Sequence, residues 1–418
     1  MAVKITPQES YANGRKAGEL ARRDSDSFLS QMDRTFAYWR KEFPRSAELD
    51  YRTELLKLEK ERMSADLDLA KYPECRGLRE AVENEHKGFL EGCADPFMAA
   101  FHFNSAFFYR VRLTSRYFGW ARPAGGCTAV WFEDTADGPI NGKNLDQTPA
   151  DPRRFDHRIP HYRPHGKPIR GVELVGTASA SVFLDEEPTD IFPVDVSLIM
   201  PDDIRTVRDF VEFWRRYKQF TSCGHTIYVD ERGDSVAIEN TNCRMGVRYS
   251  SGGVSAVTAC AYLTPEMNAY WRDRGRASLE ARGWTEDCPD WAFWNGCEKR
   301  YRRLLKLVEA ESRRGPSPVG LARILLDPEA PHPERISVAG EQDHPDQDAD
   351  CWTVCMWVSV VFGPGRRNYW WRVSDWNRPY RPIFEERPMF RLGEGVQMRP
   401  EWKREIAEMA AIGKDVYI

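Results

Sequence analysis

Apolar residues in the first part of the chain recur three or four positions apart, which is the spacing of an amphipathic α-helix. One such run ends at Pro44, because proline cannot continue a helix. A second run covers residues 78–93, and a third, dense in aromatic rings, covers residues 95–120. Residues 1–126 are therefore predicted to form a helical N-terminal region.

Short β-prone runs replace the helical pattern after residue 126. Residues 127–132 and 140–145 are predicted strands, and the segment 133–139 between them is polar and rich in turn-forming residues. We expect the two strands to form a β-hairpin that begins at Cys127.

Further strand pairs follow along the chain, separated by amphipathic helices at 207–217 and 271–308. The predicted pairs are 225–229 with 235–239, 245–249 with 254–261, and 352–362 with 369–376. Each pair is joined by a segment that contains glycine, which is typical of a hairpin. Hairpins separated by helices predict an α+β fold with antiparallel sheets.

Cys127 follows two glycines, Gly125 and Gly126. Glycine leaves the preceding carbonyl accessible and the backbone free to strain. A thiol here is placed to attack the Gly126 carbonyl, move the acyl group from nitrogen to sulfur, and be released by water as a new N-terminus. The freed α-amine, with a reference pKa near ~8, then serves as the base for its own thiol. The alternative is a buried structural cysteine in an ordinary hairpin.

An ordered set of motifs runs through this hairpin: Cys127-Thr128, then Asp137-Gly138, then Gly142-Lys143-Asn144-Leu145-Asp146. The set resembles the acyl-CoA:isopenicillin N acyltransferase family. That family belongs to the N-terminal nucleophile (Ntn) hydrolases and is related to the choloylglycine hydrolases. Asp146 follows Cys127 by 19 positions, which suits the pattern of both families.

The resemblance implies an architecture and a division of the chain. The expected fold is a four-layer αββα sandwich, in which two antiparallel sheets pack face to face and helices cover both. Residues 1–126 would become the smaller chain after cleavage between Gly126 and Cys127. Residues 127–418 would form the Ntn-hydrolase domain, with Cys127 as its new N-terminus.

The resemblance also implies roles for four residues of the hairpin. Cys127 is the expected nucleophile, and Asp146 is expected to order its α-amine. Lys143, which is arginine in the choloylglycine branch, is expected to favour the thiolate by its charge. The backbone N–H of Asn144, or another main-chain donor, is expected to hold the oxyanion.

The sequence departs from the family where an oxyanion donor is expected. The family carries Thr-Asn-His at the end of a central strand, whereas this chain has Thr258-Ala259-Cys260, and alanine has no side-chain donor. Asn242 is a substitute only if the strand register differs. Arg300 lies on a helix that resembles the family's Ser-x-x-Arg helix, with cysteine in place of serine. Its guanidinium binds a substrate carboxylate or a structural one, or else it belongs to a solvated basic face.

The composition of the chain bears on which ligands and which cellular compartment are expected. The net charge of −4 over 418 residues gives no electrostatic basis for binding nucleic acid. The ten cysteines form no Cys-x-x-Cys pair, and prolines interrupt the spacing of His157, His161 and His165, so no metal or cofactor is predicted. With no apolar run near ~18 residues and no N-terminal apolar segment, we expect a cytoplasmic protein that binds no membrane. Oligomerisation remains open.

Together these features predict an autoprocessed cysteine amidohydrolase or N-acyltransferase. Its substrate would be a small molecule, either an N-acyl amine or an acyl thioester, that forms an acyl-thioester on Cys127. Two alternatives remain open. One is an enzyme that hydrolyses its substrate without acyl transfer. The other is a catalytically weakened or unprocessed relative of the family that only binds an amide. Ala259 favours this second alternative, because alanine supplies no side-chain donor to the oxyanion.

Overall fold

The computed structural model places helices and strands where the hydrophobic periodicity of the chain changes. It describes residues 5–42, 46–64, 72, 76–108, 113, 127–147, 171–179, 201, 203–217, 224–241, 244–250, 253–258, 262–280, 289–330, 336–337, 352–361, 364–373, 389–393 and 395–417. The described residues form a mixed fold of α-helices and antiparallel sheets, so the α+β prediction is confirmed.

The part of the chain described before Cys127 is helical, as predicted from its periodicity. Its helices are α1 (Pro7–Arg23), α2 (Ser25–Glu42), α3 (Tyr51–Ser64), α4 (Arg76–Cys93) and α5 (Pro96–Phe107). Helix α1 begins with a capping box, in which Thr6 and Glu9 bond each other's backbone N–H. Asp95 caps α5 by accepting hydrogen bonds from the first amides of that helix.

The backbones of helices α1 and α4 are in direct contact, because each helix carries two glycines four residues apart. These are Gly14 and Gly18 on α1, and Gly88 and Gly92 on α4. A Cβ atom added at Gly14 would lie 1.9 Å from a backbone oxygen of α4, and one added at Gly88 would lie 2.1 Å from a backbone oxygen of α1. No larger residue fits at these positions without moving the two helices apart.

The remaining helices and the strands follow Cys127. The strands are β1 (Thr128–Phe132), β2 (Ile140–Gln147), β3 (Val172–Ser179), β4 (Gly224–Asp230), β5 (Ser235–Asn240), β6 (Met245–Tyr249), β7 (Val254–Thr258), β8 (Trp352–Val360), β9 (Arg367–Arg372) and β10 (Met389–Leu392). The helices are α6 (Val207–Tyr217), α7 (Pro265–Glu280), α8 (Pro289–Arg314), α9 (Pro318–Leu325) and α10 (Pro400–Tyr417).

The strands form two antiparallel sheets. The six-stranded sheet has the order β10-β9-β8-β2-β1-β7, and the four-stranded sheet has the order β3-β4-β5-β6. Three predicted hairpins are confirmed, namely β1 with β2, β4 with β5, and β8 with β9. The hairpin that begins at Cys127 lies inside the larger sheet, between β8 and the edge strand β7.

The predicted pairing of residues 245–249 with 254–261 is wrong. Both strands form, but β6 pairs with β5 in the smaller sheet and β7 pairs with β1 in the larger one. The Glu133 N–H donates to the Gly253 carbonyl at 2.7 Å and extends the β1–β7 ladder into this connection. The glycine-rich connection therefore carries the chain from one sheet to the other, and no hairpin forms there.

Each sheet packs one face against the other sheet and one face against helices. Between the sheets lies a cluster that joins Ala129 and Trp131 of β1 to Ile227 and Val229 of β4. The other face of the larger sheet packs against α8, α9 and α10. The other face of the smaller sheet packs against α6, which buries an almost continuous aromatic and aliphatic face there.

Candidate active site

Cys127 lies directly before β1, at the end of the hairpin opposite its turn. Its side chain is only 1% exposed, and its thiol donates a hydrogen bond to the Asp146 carbonyl at 3.7 Å. The next residue, Thr128, lies opposite Asn144 on one side and Thr258 on the other. The thiol thus lies beside the end of the hairpin where β1 begins, and it packs in the cluster between the two sheets.

The side chain of Asn144 fixes the start of β1. Its Oδ1 accepts the N–H of Thr128 at 2.7 Å, and its Nδ2 donates to the carbonyls of Ile336 at 2.7 Å and Leu325 at 3.3 Å. Asn144 is completely buried, so these three hydrogen bonds are shielded from water. The residue predicted to act through its backbone N–H therefore also positions the amide that follows Cys127.

Asp146 meets a side-chain donor because the β2–β8 ladder is irregular. Leu145 lies opposite Cys355, yet the next residue, Asp146, lies opposite Thr353. In an unbroken ladder Asp146 would face Val354, which has no donor. The register shift brings the Thr353 hydroxyl within 2.6 Å of Asp146 Oδ1. Such irregularities commonly re-aim side chains beside active sites.

Burial dominates the ionisation of Asp146. The side chain is 3% exposed, and its Oδ2 has no hydrogen-bond partner among the described residues. Burial raises its pKa to about 7, while the positive charge of Arg300 is the largest of the influences that oppose this rise. The hydrogen bond from Thr353 and the charge of Lys143 oppose it further. Asp146 is therefore a carboxyl group that changes charge near neutral pH.

Lys143 is a buried cation of the same strand. Lys143 lies opposite Ala129 and is only 6% exposed. Its Nζ lies 5.3 Å from the ring centre of Trp357. An aromatic face of this kind stabilises a cation that has lost part of its hydration. The charge of Lys143 lowers the pKa of both Asp146 and Cys355, which places it in electrostatic range of both groups.

Cys355 is a second buried thiol near Cys127, and it was not predicted as a site residue from the sequence. It is fully buried and packs against Trp370, Trp357 and Leu145. Burial raises the pKa of Cys355 well above its ordinary value, and the negative charge of Asp146 raises it further. Cys355 thus remains a neutral thiol that lines the site.

No sequence pattern marks Cys355 or Trp357 as site residues. They are identified only through the register of β8 against β2, in which Cys355 lies opposite Leu145 and Trp357 lies opposite Lys143. The alternating pattern of β8 did predict a strand, and its apolar face with Met356 is buried as expected. That pattern contains no information about which distant strand becomes the neighbour.

Arg300 belongs to the site environment. It lies on α8, is only 4% exposed, and its charge acts on Asp146. The expectation of a solvated basic face is therefore wrong for this residue, because the guanidinium is buried. Gly126, Asn242 and Ala259 lie outside the described residues, so their predicted roles in cleavage and in oxyanion binding remain predictions.

The chain matches no protein-family model and no curated protein at a significant level. The family resemblance therefore rests on the motif residues themselves. Within the described ranges, no group of three or more His, Cys, Asp or Glu side chains is arranged to hold a metal ion. None of the helices in those ranges has the length and apolar character needed to cross a membrane.

Proposed function

We propose that this protein is an autoprocessed cysteine Ntn amidohydrolase or N-acyltransferase that acts on a small N-acyl amine. The observation that carries the proposal is the position of Cys127. Its thiol lies at the start of a central strand, bonded to the Asp146 carbonyl, while the Asn144 side chain fixes the following amide. A buried cation, Lys143, and a buried carboxyl group, Asp146, lie close along the neighbouring strand.

The proposed architecture is the four-layer αββα sandwich of the Ntn hydrolases. Packing of the two sheets on a shared core supports it, as do the helices on the outer face of each sheet. In this proposal residues 127–418 form the catalytic domain. Residues 1–126 form the smaller chain, which packs against the domain through residues such as Leu78 beside α6.

Processing is the first proposed reaction. The Cys127 thiol attacks the Gly126 carbonyl carbon, the C–N bond breaks, and the acyl group moves to sulfur. Water then hydrolyses the thioester, which releases Gly126 as a carboxylate and leaves Cys127 with a free thiol and a free α-amine. The α-amine is then available as the general base of the mature enzyme.

The second proposed reaction is acyl transfer. The α-amine takes the thiol proton, and the Cys127 sulfur attacks the substrate carbonyl to form a tetrahedral oxyanion. Collapse breaks the C–N bond, and the departing amine takes the proton from the α-ammonium group. Water or a second amine then attacks the thioester. Asp146 in its ionised form stabilises the α-ammonium, and Lys143 favours the thiolate.

Trapping of the acyl-enzyme tests this function. The protein is incubated with a panel of acyl p-nitroanilides, quenched in acid and digested, and the peptide that begins at Cys127 is analysed by mass spectrometry. An added acyl mass on that peptide, released by hydroxylamine, supports the proposal. Amide hydrolysis without any adduct on Cys127 contradicts it, and comparison of products with and without an amine acceptor separates transfer from hydrolysis.

A further inference from the structure

His225 is a buried imidazole that makes no hydrogen bond to the described part of the chain. The residue is 1% exposed, and both Nδ1 and Nε2 are buried without a partner there. Buried polar side chains in folded proteins are nearly always hydrogen-bonded, and an exception calls for a specific cause. Binding of a ligand is one such cause, provided that the imidazole lies where a ligand binds.

The imidazole projects into the space between the two sheets. Side chains of β4 alternate between the faces of its sheet, and Ile227 and Val229 pack in the cluster between the sheets. His225 is two residues before Ile227 and therefore has its side chain on the same face. Cys127 contributes its side chain to that same cluster from the opposite sheet.

His225 also lies at the same end of the sandwich as Cys127. Its ring contacts the ring of Tyr262 with the centroids 4.7 Å apart. Tyr262 follows the end of β7 by four residues, and the last residue of β7, Thr258, lies opposite Thr128, the neighbour of Cys127. The contact between Ser235 and Ser255, with hydroxyl oxygens 2.7 Å apart, joins the two sheets at their other end.

No neighbouring ion pair explains the buried imidazole. Its partner across the ladder is Glu239, but both oxygens of that carboxylate are bonded elsewhere. One accepts from Arg248, and the other accepts from the backbone amides of Leu263 and Thr264. Within the described ranges, both ring nitrogens of His225 therefore have no hydrogen-bond partner.

We infer that His225 donates a hydrogen bond to the carbonyl oxygen of the substrate while Cys127 attacks the carbonyl carbon. This inference rests on the proposed function and deepens it, because it supplies a side-chain oxyanion donor in a chain that has alanine at position 259. Cys127 and His225 extend from different sheets into the same layer, and β4 lies across from β7, the neighbour of β1. Packed sheets lie about 10 Å apart, a spacing that accommodates about one planar group between side chains of the two sheets. An amide has that shape.

The imidazole acts as a neutral donor. Burial lowers the pKa of His225 to about 4, with the positive charge of Arg248 acting in the same direction and the negative charge of Glu239 acting against it. At neutral pH one ring nitrogen therefore carries a proton that is available as a hydrogen-bond donor. A neutral imidazole is an effective electrophile for a carbonyl oxygen in other enzymes.

The chemical step gives His225 a defined role. As the C–S bond forms, the π electrons of the carbonyl move to its oxygen, and the His225 N–H stabilises that negative charge. No proton is transferred to the oxygen. Collapse of the intermediate returns the electrons, breaks the C–N bond and releases the amine. An oxyanion donor of this kind typically contributes about 10²–10³ in kcat.

Substitution of His225 tests the inference with the fastest p-nitroanilide from the acyl panel. His225→Phe keeps a planar ring but removes the donor, so we expect kcat to fall about 100-fold or more and KM to change by about twofold or less. Alkylation of Cys127 by iodoacetamide needs no oxyanion donor, and its rate should stay within about twofold. His225→Gln, which restores an N–H, should recover part of the lost kcat. Intact mass verifies that each variant is processed.

Thr226→Val is the matched control, because Thr226 is the next residue of β4 and its buried hydroxyl also has no partner in the described part of the chain. Its side chain points to the other face of the sheet, so kcat should not change. A His225→Phe variant with kcat within about threefold of wild type overturns the inference, as does a parallel fall in alkylation and turnover. If the wild-type protein forms no thioester on Cys127 with any probe, the proposed function itself fails.

Discussion

Asp146 provides a quantitative test of how the site is built, because burial destabilises the ionised form of its carboxyl group. Replacement by asparagine keeps an oxygen that accepts the Thr353 hydroxyl but removes the ionisation. Both the parent and the Asp146→Asn protein carry Cys127→Ala, so that processing cannot differ between them. The perturbation therefore isolates the cost of holding a carboxylate at this position.

The structure gives the magnitude of that cost and its sign. The folded-state pKa of Asp146 is about 7, and the ordinary value is 3.8. Each pH unit between the two values corresponds to about 1.4 kcal/mol, so the ionised carboxylate destabilises the fold by about 4 kcal/mol. Because the folded-state pKa is raised, this penalty is absent below pH 3.8 and grows until the pH passes about 7.

The assay is equilibrium urea unfolding of both proteins at several pH values between 4 and 8. We expect Asp146→Asn to gain stability relative to the parent as the pH rises, with most of the gain complete at about pH 7. Asp134→Asn, which removes an exposed carboxylate from the turn of the same hairpin, controls for the change in net charge. A stability difference that stays constant over this range would refute the assignment of Asp146 as a buried carboxyl group whose ionised form destabilises the fold.

Three other substitutions test the surroundings of the site and the N-terminal helices. Lys143→Met should slow the alkylation of Cys127 by iodoacetamide at neutral pH, because a nearby cation favours the thiolate. Asn144→Ala should lower the free energy of unfolding by about 3 kcal/mol or more in urea titrations, because it removes three buried hydrogen bonds to the backbone. Gly88→Ala should expose α1 to limited proteolysis, because its Cβ would lie 2.1 Å from the Tyr11 carbonyl oxygen.

Each of these substitutions has a matched control. Lys306→Met removes an exposed lysine and should leave alkylation unchanged. Asn141→Ala, on the same strand as Asn144, removes one hydrogen bond, from Nδ2 to the Val175 carbonyl, and should cost less stability than Asn144→Ala. Lys87→Ala changes an exposed residue beside the glycine of α4 and should leave α1 protected. Equal effects of a substitution and its control would contradict the structural reason given for it.

Local periodicity was sufficient to predict most helices and strands, because burial of one face imposes the spacing of apolar residues. It did not predict sheet membership. Residues 250–253 have the composition of a hairpin turn, but β6 and β7 find partners in different sheets. Pairing depends on which edges are available after the sheets assemble, and that information is not local.

In the candidate site, too, the local features were predicted from the sequence and the long-range contacts were not. Cys127, Lys143, Asn144 and Asp146 lie on one hairpin, so a short motif identified them together. The Asn144 side chain bonds the carbonyls of Leu325, at the end of α9, and of Ile336, which lie 181 and 192 residues further along the chain. The position of Trp357 beside Lys143 likewise depends on a distant strand, β8. Long-range contacts of this kind leave no spacing pattern in the sequence.

The most direct test of the central claim is the intact mass of the purified protein, measured beside that of Cys127→Ala. Autoprocessing at the Gly126–Cys127 bond predicts two fragments, residues 1–126 and residues 127–418, from the native sequence and a single uncleaved chain from the variant. Cleavage of Cys127→Ala at this bond would contradict the mechanism, since no thiol remains to attack Gly126. A native protein that stays in one piece would contradict the proposal of an Ntn enzyme with Cys127 as its N-terminal nucleophile.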